Sequence, residues 1–420
     1  MHTLFSKAAM IGAVAIMILV SGCRPVTNTN APMSNTFSPG TFGYDLAFLD
    51  KFQQMIVLES EDSLSQVAIA PGYQGRVMTS TSNGLSGISY GWINYKAIES
   101  DSIKPHINPY GGEDRIWLGP EGGQFSVYFA PGVPFTFENW QVPKAFDTEP
   151  FDLVSHNRGE ASFEKKIELM NYSGTAFNLK INRTIRLLDR NTVVKCLLTN
   201  IPDSIEWVGY ETENTLTNTG NFEWNKQTGM FSIWLLGMFV PSPAVTVFIP
   251  YRQGNNKELG KVVTDDYFGK VPSDRLKVED GFVFLKCDGH YRSKIGISPF
   301  RAMPYAASYD AENHVLTIIN FSLPSMHLPY VNSLWKIQDD PFSGDAVNSY
   351  NDGTLADGTQ MGPFFEIESS SPAAALKPGA SLTHFSRTMH FRGQEAQLNK
   401  LCRLVLGIDL NKVKSVFESQ

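Results

Sequence analysis

The chain reads as an all-β protein, either a sandwich or one very large antiparallel sheet, and three observations predict this. Short strand-like runs recur throughout, turn residues punctuate them, and helical periodicity is confined to the two ends of the folded part. Alternation is clearest at Phe177, Leu179 and Ile181, with Asn178, Lys180 and Asn182 between them, the period of a strand with one buried face. Further runs read as strands include GRVMTST, GISYGWINY, GQFSVYFA, NTVVKCLLTN, MFSIWLLGMF, AVTVFIPY, FVFLKCDG, KIGISP and WKIQDD. No repeat at solenoid spacing is visible.

Two segments carry helical spacing. Residues 44–55 place Leu46, Leu49, Phe52 and Met55 near one stripe, enough for one short helix. Residues 395–417 place Leu398, Leu401, Cys402, Val405, Leu406 and Val413 on an amphipathic face, with Gly407 as the breaker. This tail is expected to cover a sheet edge; the alternative is a helix that binds a partner.

The N-terminus gives an address. Residues 1–7 carry one lysine, residues 8–20 form an apolar core too short for a stable span, and Val20-Ser21-Gly22-Cys23 follows. This looks like a bacterial lipobox, so residues 1–22 read as a lipoprotein signal peptide and Cys23 as the lipidated residue. Residues 23–40, rich in Asn, Thr, Ser and Pro, read as a flexible tether. Arg24, not an acidic residue, follows the cysteine, which favours the outer membrane facing the periplasm. The membrane is then reached through the lipid anchor only.

Residues 41–392 are expected to form the β domain, and 393–420 a helical segment packed on it. The net charge is −7 with no basic block, which argues against nucleic acid as a partner. Cys196, Cys287 and Cys402 lack Cys-x-x-Cys or zinc spacing and read as buried free thiols, with one disulfide as the alternative. Serine catalysis lacks a Gly-x-Ser-x-Gly elbow, and no phosphate loop occurs. Asn348, Asp352 and Asp357 offer oxygens to calcium, but turn chemistry explains the Asn-Asp-Gly sequence as well, and neither metal nor cofactor is expected.

The chemistry concentrates in residues 362–391, GPFFEIESSSPAAALKPGASLTHFSRTMHF. Alternation puts Glu366 and Glu368 on one face of a strand and Phe365 and Ile367 on the other. Such a carboxylate face either meets water or lines a polar cavity. The second candidate is Tyr110-Gly111-Gly112-Glu113-Asp114-Arg115-Ile116-Trp117, continuing through Glu121. Its glycines let backbone approach a ligand, and its charges with Trp117 suit a sugar, whose C–H face stacks on an aromatic ring. The competing reading is a tight loop in which Glu113 and Arg115 pair with each other.

These residues carry a resemblance. Glu366-Ile367-Glu368, Pro372 and Leu376-Lys377-Pro378-Gly379-Ala380-Ser381 resemble the C-terminal end of galactose-mutarotase-like proteins, the aldose 1-epimerase superfamily. Residues 110–123 and Asn348-Ser349-Tyr350-Asn351-Asp352-Gly353 are similar to a narrower branch of uncharacterised bacterial lipoproteins assigned to that fold. The resemblance implies a β-supersandwich and Glu368 as the catalytic base. It also implies two histidines that this chain lacks: Tyr110 stands where one is expected, and the nearest match to the second is Trp234-Leu235-Leu236-Gly237-Met238-Phe239.

The expected function is therefore carbohydrate binding by an anchored lipoprotein, with Glu368 moving a proton if it is an enzyme. Tyr110, Arg115, Trp117, Glu121, Glu366 and Asp352 are the expected substrate contacts, and the catalytic acid is unassigned among the histidines. The alternative is a non-catalytic envelope lipoprotein that hands on glycans or binds protein.

Overall fold

In the computed structural model the described residues are 37–418, Ala356 excepted, so the leader, Cys23 and most of the tether lie outside them. Strands β1 (Ile56–Glu59), β2 (Gln66–Ala70) and β3 (Arg76–Thr81) make a small sheet, and β4 (Arg115–Gly119) follows. Next come β5 (Asp152–His156), β6 (Glu160–Met170), β7 (Ala176–Leu187) and β8 (Glu206–Asn218). The middle of the chain supplies β9 (Ser232–Phe239), β10 (Val245–Pro250), β11 (Leu276–Glu279), β12 (Phe282–Lys286) and β13 (Ser293–Ile297). The remainder is β14 (Tyr305–Asp310), β15 (Val315–Phe321), β16 (Val347–Asn351), β17 (Phe365–Ser370) and β18 (Ser381–Arg392).

A ten-stranded sheet runs β11-β12-β10-β14-β15-β18-β8-β7-β6-β5, and a five-stranded sheet runs β13-β16-β17-β9-β4. The two sheets share a core, as the all-β reading requires. Phe177, Leu179, Ile181 and Ile185 of β7 pack with Ile116 and Leu118 of β4 and Ile233 and Leu235 of β9. Val247, Ile319 and Phe321 of the large sheet pack with Ile295, Val347, Phe365 and Ile367 of the smaller one. Each such side chain contributes roughly 1.5–3 kcal/mol by leaving water.

The C-terminal helices, Glu395–Val405 and Leu410–Ser415, are present, and Gly407 between them has φ +78°. They do not cover a sheet edge. Leu398, Leu401, Leu410 and Val413 lie on the outer face of the large sheet, against Phe284, Phe248, Tyr309, Ile318 and Phe391 of five adjacent strands. Outward apolar residues at these strands demand a cover, and the amphipathic tail supplies it. Near the other end a short helix, Phe42–Leu49, buries Phe42, Leu46 and Leu49.

The run NTVVKCLLTN is a helix, Arg190–Leu197, and not a strand. Its β-branched residues favour extension locally, but Asp189 caps it by accepting from the Thr192 amide at 2.7 Å, and Val193 and Leu197 reach the outer-face cluster. GISYGWINY makes only isolated bridges, and GQFSVYFA and WKIQDD are irregular. Phe125, Tyr128 and Phe129 of the second run still enter the core, so burial there is achieved from a loop. All three remaining cysteines are free thiols, Cys287 and Cys402 buried and Cys196 half-buried on its helix.

His384 of β18 is fully buried between the sheets, with Nδ1 2.6 Å from the Ser322 hydroxyl and Nε2 3.0 Å from the Ser369 hydroxyl. Burial pulls the ring down to about 3 from the ordinary 6.5. The unfolded chain therefore takes up a proton as pH falls through 6.5 while the fold does not until about 3, so stability is lost in that window. Between pH 7 and pH 5 this one group removes about 2 kcal/mol, a loss that His384→Gln abolishes. Urea titrations of both proteins at the two pH values check it, and equal losses would refute the assignment.

Candidate functional site

Strand alternation sets the floor of the site. On β17, Phe365 and Ile367 face the shared core, so Glu366, Glu368 and Ser370 take the opposite face. Directly paired residues share a face, and the register carries this one across all five strands. It gathers Lys294 of β13, Asn348 and Tyr350 of β16, Trp234, Leu236 and Met238 of β9, and Arg115 and Trp117 of β4.

Both carboxylates are buried, Glu366 at 5% and Glu368 at 1% exposure, so neither is a solvated surface group. Each meets a cation from an edge strand of the sheet: Arg115 Nη2 lies 2.7 Å from Glu366 Oε1, and Lys294 Nζ 3.0 Å from Glu368 Oε2. Trp234 Nε1 donates to the same Glu368 oxygen at 2.8 Å. Glu368 Oε1 is buried and has no hydrogen-bond partner among the described residues. The Arg115 guanidinium sits 4.4 Å from the Trp117 ring centre and the Lys294 ammonium 4.8 Å from that of Trp234. Trp117 meets Trp234 edge-on at 5.5 Å.

A cleft of about 800 Å³ opens over this floor. Ser232, Trp234 and Lys294 line it from below, together with Glu121 just past β4. Its walls include Lys104, His106, Phe137 and Trp335 from loops, Tyr267 and Phe268, Asp345, Arg292, and a loop from Asp352 to Met361. The electrostatics follow from burial. Desolvation lifts the Glu366 carboxyl to about 7, with Arg115 opposing and Glu368 reinforcing. Desolvation also raises Glu121, against the pull of Lys294. Burial alone would lower the Lys294 ammonium, but Glu368, Glu121 and Glu366 outweigh it and hold it above its ordinary value.

The expected site residues divide. Glu121 and Asp352 line the cleft. Glu366, Glu368 and Arg115 form the charged floor, reaching the cleft wall through Lys294 and Trp234, and Trp117 backs Trp234. Tyr110 is not brought to the lining: it stacks on Tyr73 at 4.2 Å. Gly111 and Gly112 do adopt positive φ, +97° and +113°, but a Cβ there would strike Trp92 O and the Arg76 side chain, so the close approach is to the chain itself. Asp352 accepts from the Tyr350 hydroxyl and the Gly362 amide, and Asp357 from Thr359, so the calcium candidates are spent on turns. Among the described residues no group of three or more His, Cys, Asp or Glu side chains could hold a metal.

Glu113, Asp114 and Arg115 do not pair with one another. Glu113 accepts from Ser80 and meets His390 at 3.0 Å, Asp114 meets Arg183 at 2.7 Å, and Arg115 meets Glu366. Among the described histidines only His106 lines the cleft. Its Nδ1 donates to the Trp140 carbonyl at 2.7 Å, which leaves Nε2 as an acceptor. Sequence motifs do not single out Lys294, Trp234 or Arg292. Alternation in KIGISP does set Lys294 opposite Ile295, which was the available clue.

Lys294→Met leaves a buried carboxylate uncompensated and is expected to cost about 3–5 kcal/mol. Adding Glu368→Gln removes the stranded charge and recovers most of that loss. A double-mutant cycle by chemical denaturation measures the coupling, and additive losses would show that the pair does not act as one unit.

The fold and the site together define an all-β protein whose smaller sheet floors a charged, aromatic-walled cleft. Residues 40–417 match a family of unknown function, DUF6786, and the chain belongs to that family. No curated protein matches the sequence. Similar solved structures include a putative aldose 1-epimerase from Escherichia coli K12, with 11% identity, TM-score 0.46 and coverage of 80% of this chain and 98% of that one. A galactose mutarotase-like protein from Lactobacillus casei has 13% identity, TM-score 0.47 and coverage of 80% and 100%. A galactose mutarotase related enzyme from Lactobacillus acidophilus has 10% identity, TM-score 0.44 and coverage of 81% and 99%.

Proposed function

We propose that the cleft binds carbohydrate. The observation that carries this reading is Glu368: one oxygen is fixed by Lys294 and Trp234, both of which line the cleft, while the other is buried without a partner. Glu368 is not itself part of the lining, so what it presents to a ligand is the Lys294 ammonium and the Trp234 ring that it holds in place. Trp234, Phe137 and Trp335 offer ring faces in the same cleft, and Ser232, Asn348 and Glu121 offer polar atoms, the mixture that C–H faces and hydroxyls require. Anchoring at Cys23, on the periplasmic face of the outer membrane, belongs to the same reading and rests on the leader sequence.

A second reading adds chemistry. Opening of a sugar ring moves the anomeric hydroxyl proton to a base while an acid protonates the ring oxygen. Glu368 is the base such a reading would assign, and its buried Oε1 would have to be uncovered from beneath Lys294 and Trp234 for a sugar to reach it. Lys294, held above its ordinary pKa by three carboxylates, is a better hydrogen-bond donor than acid, and His106 is the histidine placed to exchange a proton.

Glu368→Gln separates these roles. Saturation-transfer NMR against a panel of mono- and oligosaccharides reads binding, and exchange spectroscopy of the anomeric signals reads turnover. Parent turnover that falls at least about a hundred-fold in the variant, with binding kept, establishes the base. Binding without turnover in either protein establishes a binding module. Silence of the parent towards every saccharide, together with an envelope protein that co-purifies with it, would replace the carbohydrate reading by a protein-interaction role.

A further inference from the structure

The floor of the cleft is charge-balanced, because Arg115 is matched by Glu366 and Lys294 by Glu368. The wall is not. Arg292 precedes β13, two residues from Lys294 and in phase with it, and lines the cleft. Its guanidinium lies 3.9 Å from the centre of the Phe268 ring, and Phe268 in turn meets Tyr350 edge-on at 6.0 Å, so the planar group is supported from the sheet outward. Among the described residues it makes no ion pair and no side-chain hydrogen bond. Glu121 lies within its field but forms no ion pair with it. Five N–H donors, oriented by a ring and unspent, are a receptor for a planar or tetrahedral anion.

The loops of the cleft add ring faces. Phe137, Trp140 and Trp335 stack in series at 6.0 and 5.9 Å, and Phe137 and Trp335 line the cavity. We infer that the cleft selects an oligosaccharide bearing an anionic substituent, a carboxylate or a sulfate, and that Arg292 seated on Phe268 reads that substituent. This rests on the carbohydrate reading and names the class of sugar within it.

The test is calorimetric, with full-length parent protein and Arg292→Gln, using a glucuronosyl disaccharide, its glucosyl counterpart and the 6-sulfated glucosyl form. The parent is expected to prefer one anionic probe over the neutral one by about ten-fold or more, as a charge-assisted fork implies, and the preference should shrink at high salt. Arg292→Gln should bring the ratio of the two dissociation constants close to one, while Arg292→Lys, which keeps charge but not the fork, should hold part of it. Preference for the uronate or for the sulfate identifies the substituent. Equal affinity of the parent for neutral and anionic probes, or a ratio unmoved by Arg292→Gln, overturns the inference and leaves carbohydrate binding intact. Failure of all three probes to bind a parent that binds another saccharide of the panel overturns the inference alone, and silence towards every saccharide overturns both.

Discussion

The smaller sheet is organised by two buried ion pairs that cross it diagonally. β17 is its central strand, with two strands on either side, and it carries two carboxylates on one face. Lys294 comes from one edge strand and Arg115 from the other. In the pairing register Lys294 shares a row with Glu366 and Arg115 shares a row with Glu368, yet each cation bonds the glutamate of the next row. Neighbouring strands lie about 4.8 Å apart, so each cation spans roughly 10 Å. Only a lysine or an arginine can do so. A slip of one residue in β13, β17 or β4 would send a charge into the apolar core, so the pairs specify the register of these strands as well as the site.

The same economy of placement appears at the start of β4. Three consecutive charged residues are all buried and all committed elsewhere: Glu113 to Ser80 and His390, Asp114 to Arg183, and Arg115 to Glu366. Asp114 and Arg183 join the smaller sheet to the ten-stranded one across the core, where an unpaired partner of either sign would be costly. The glycines before them serve the approach of the chain to Arg76 and Trp92. The loop that looks in sequence like a ligand cradle is therefore largely a joint between sheets, and the cleft begins only further on, at Glu121.

Local period explains what was legible. Phe365-Glu366-Ile367-Glu368 alternates, and this fixed both the strand and the face of its acids. The cations were not legible, because Arg115 and Glu366 are 251 positions apart and Lys294 and Glu368 are 74 apart, and nothing local links them. The cleft walls were hidden for a related reason. Phe137, Trp335 and Phe268 lie on loops, where no period marks the direction of a side chain. TVVKCLL shows the opposite failure: strand propensity was present, but a capping aspartate and an apolar sheet face below it selected the helix.

A balanced floor has a consequence for selectivity. Two glutamates, an arginine and a lysine cancel, so the floor exerts little net pull on a charged ligand. What it presents is the Lys294 ammonium and the Trp234 ring, both held in place by Glu368. Hydroxyls of any sugar can use such a surface, because hydrogen-bond geometry and not charge decides the fit. Discrimination must then come from side chains above the floor whose charge is not already matched. The lining also holds Glu121, Asp345, Asp352 and Asp357, which oppose an anion, so selectivity for one rests on Arg292, whose guanidinium is braced on Phe268. Fixed orientation matters because a donor that need not be ordered on binding loses less entropy when it engages, so a guanidinium held on a ring separates anionic from neutral ligands more sharply than a freely rotating one.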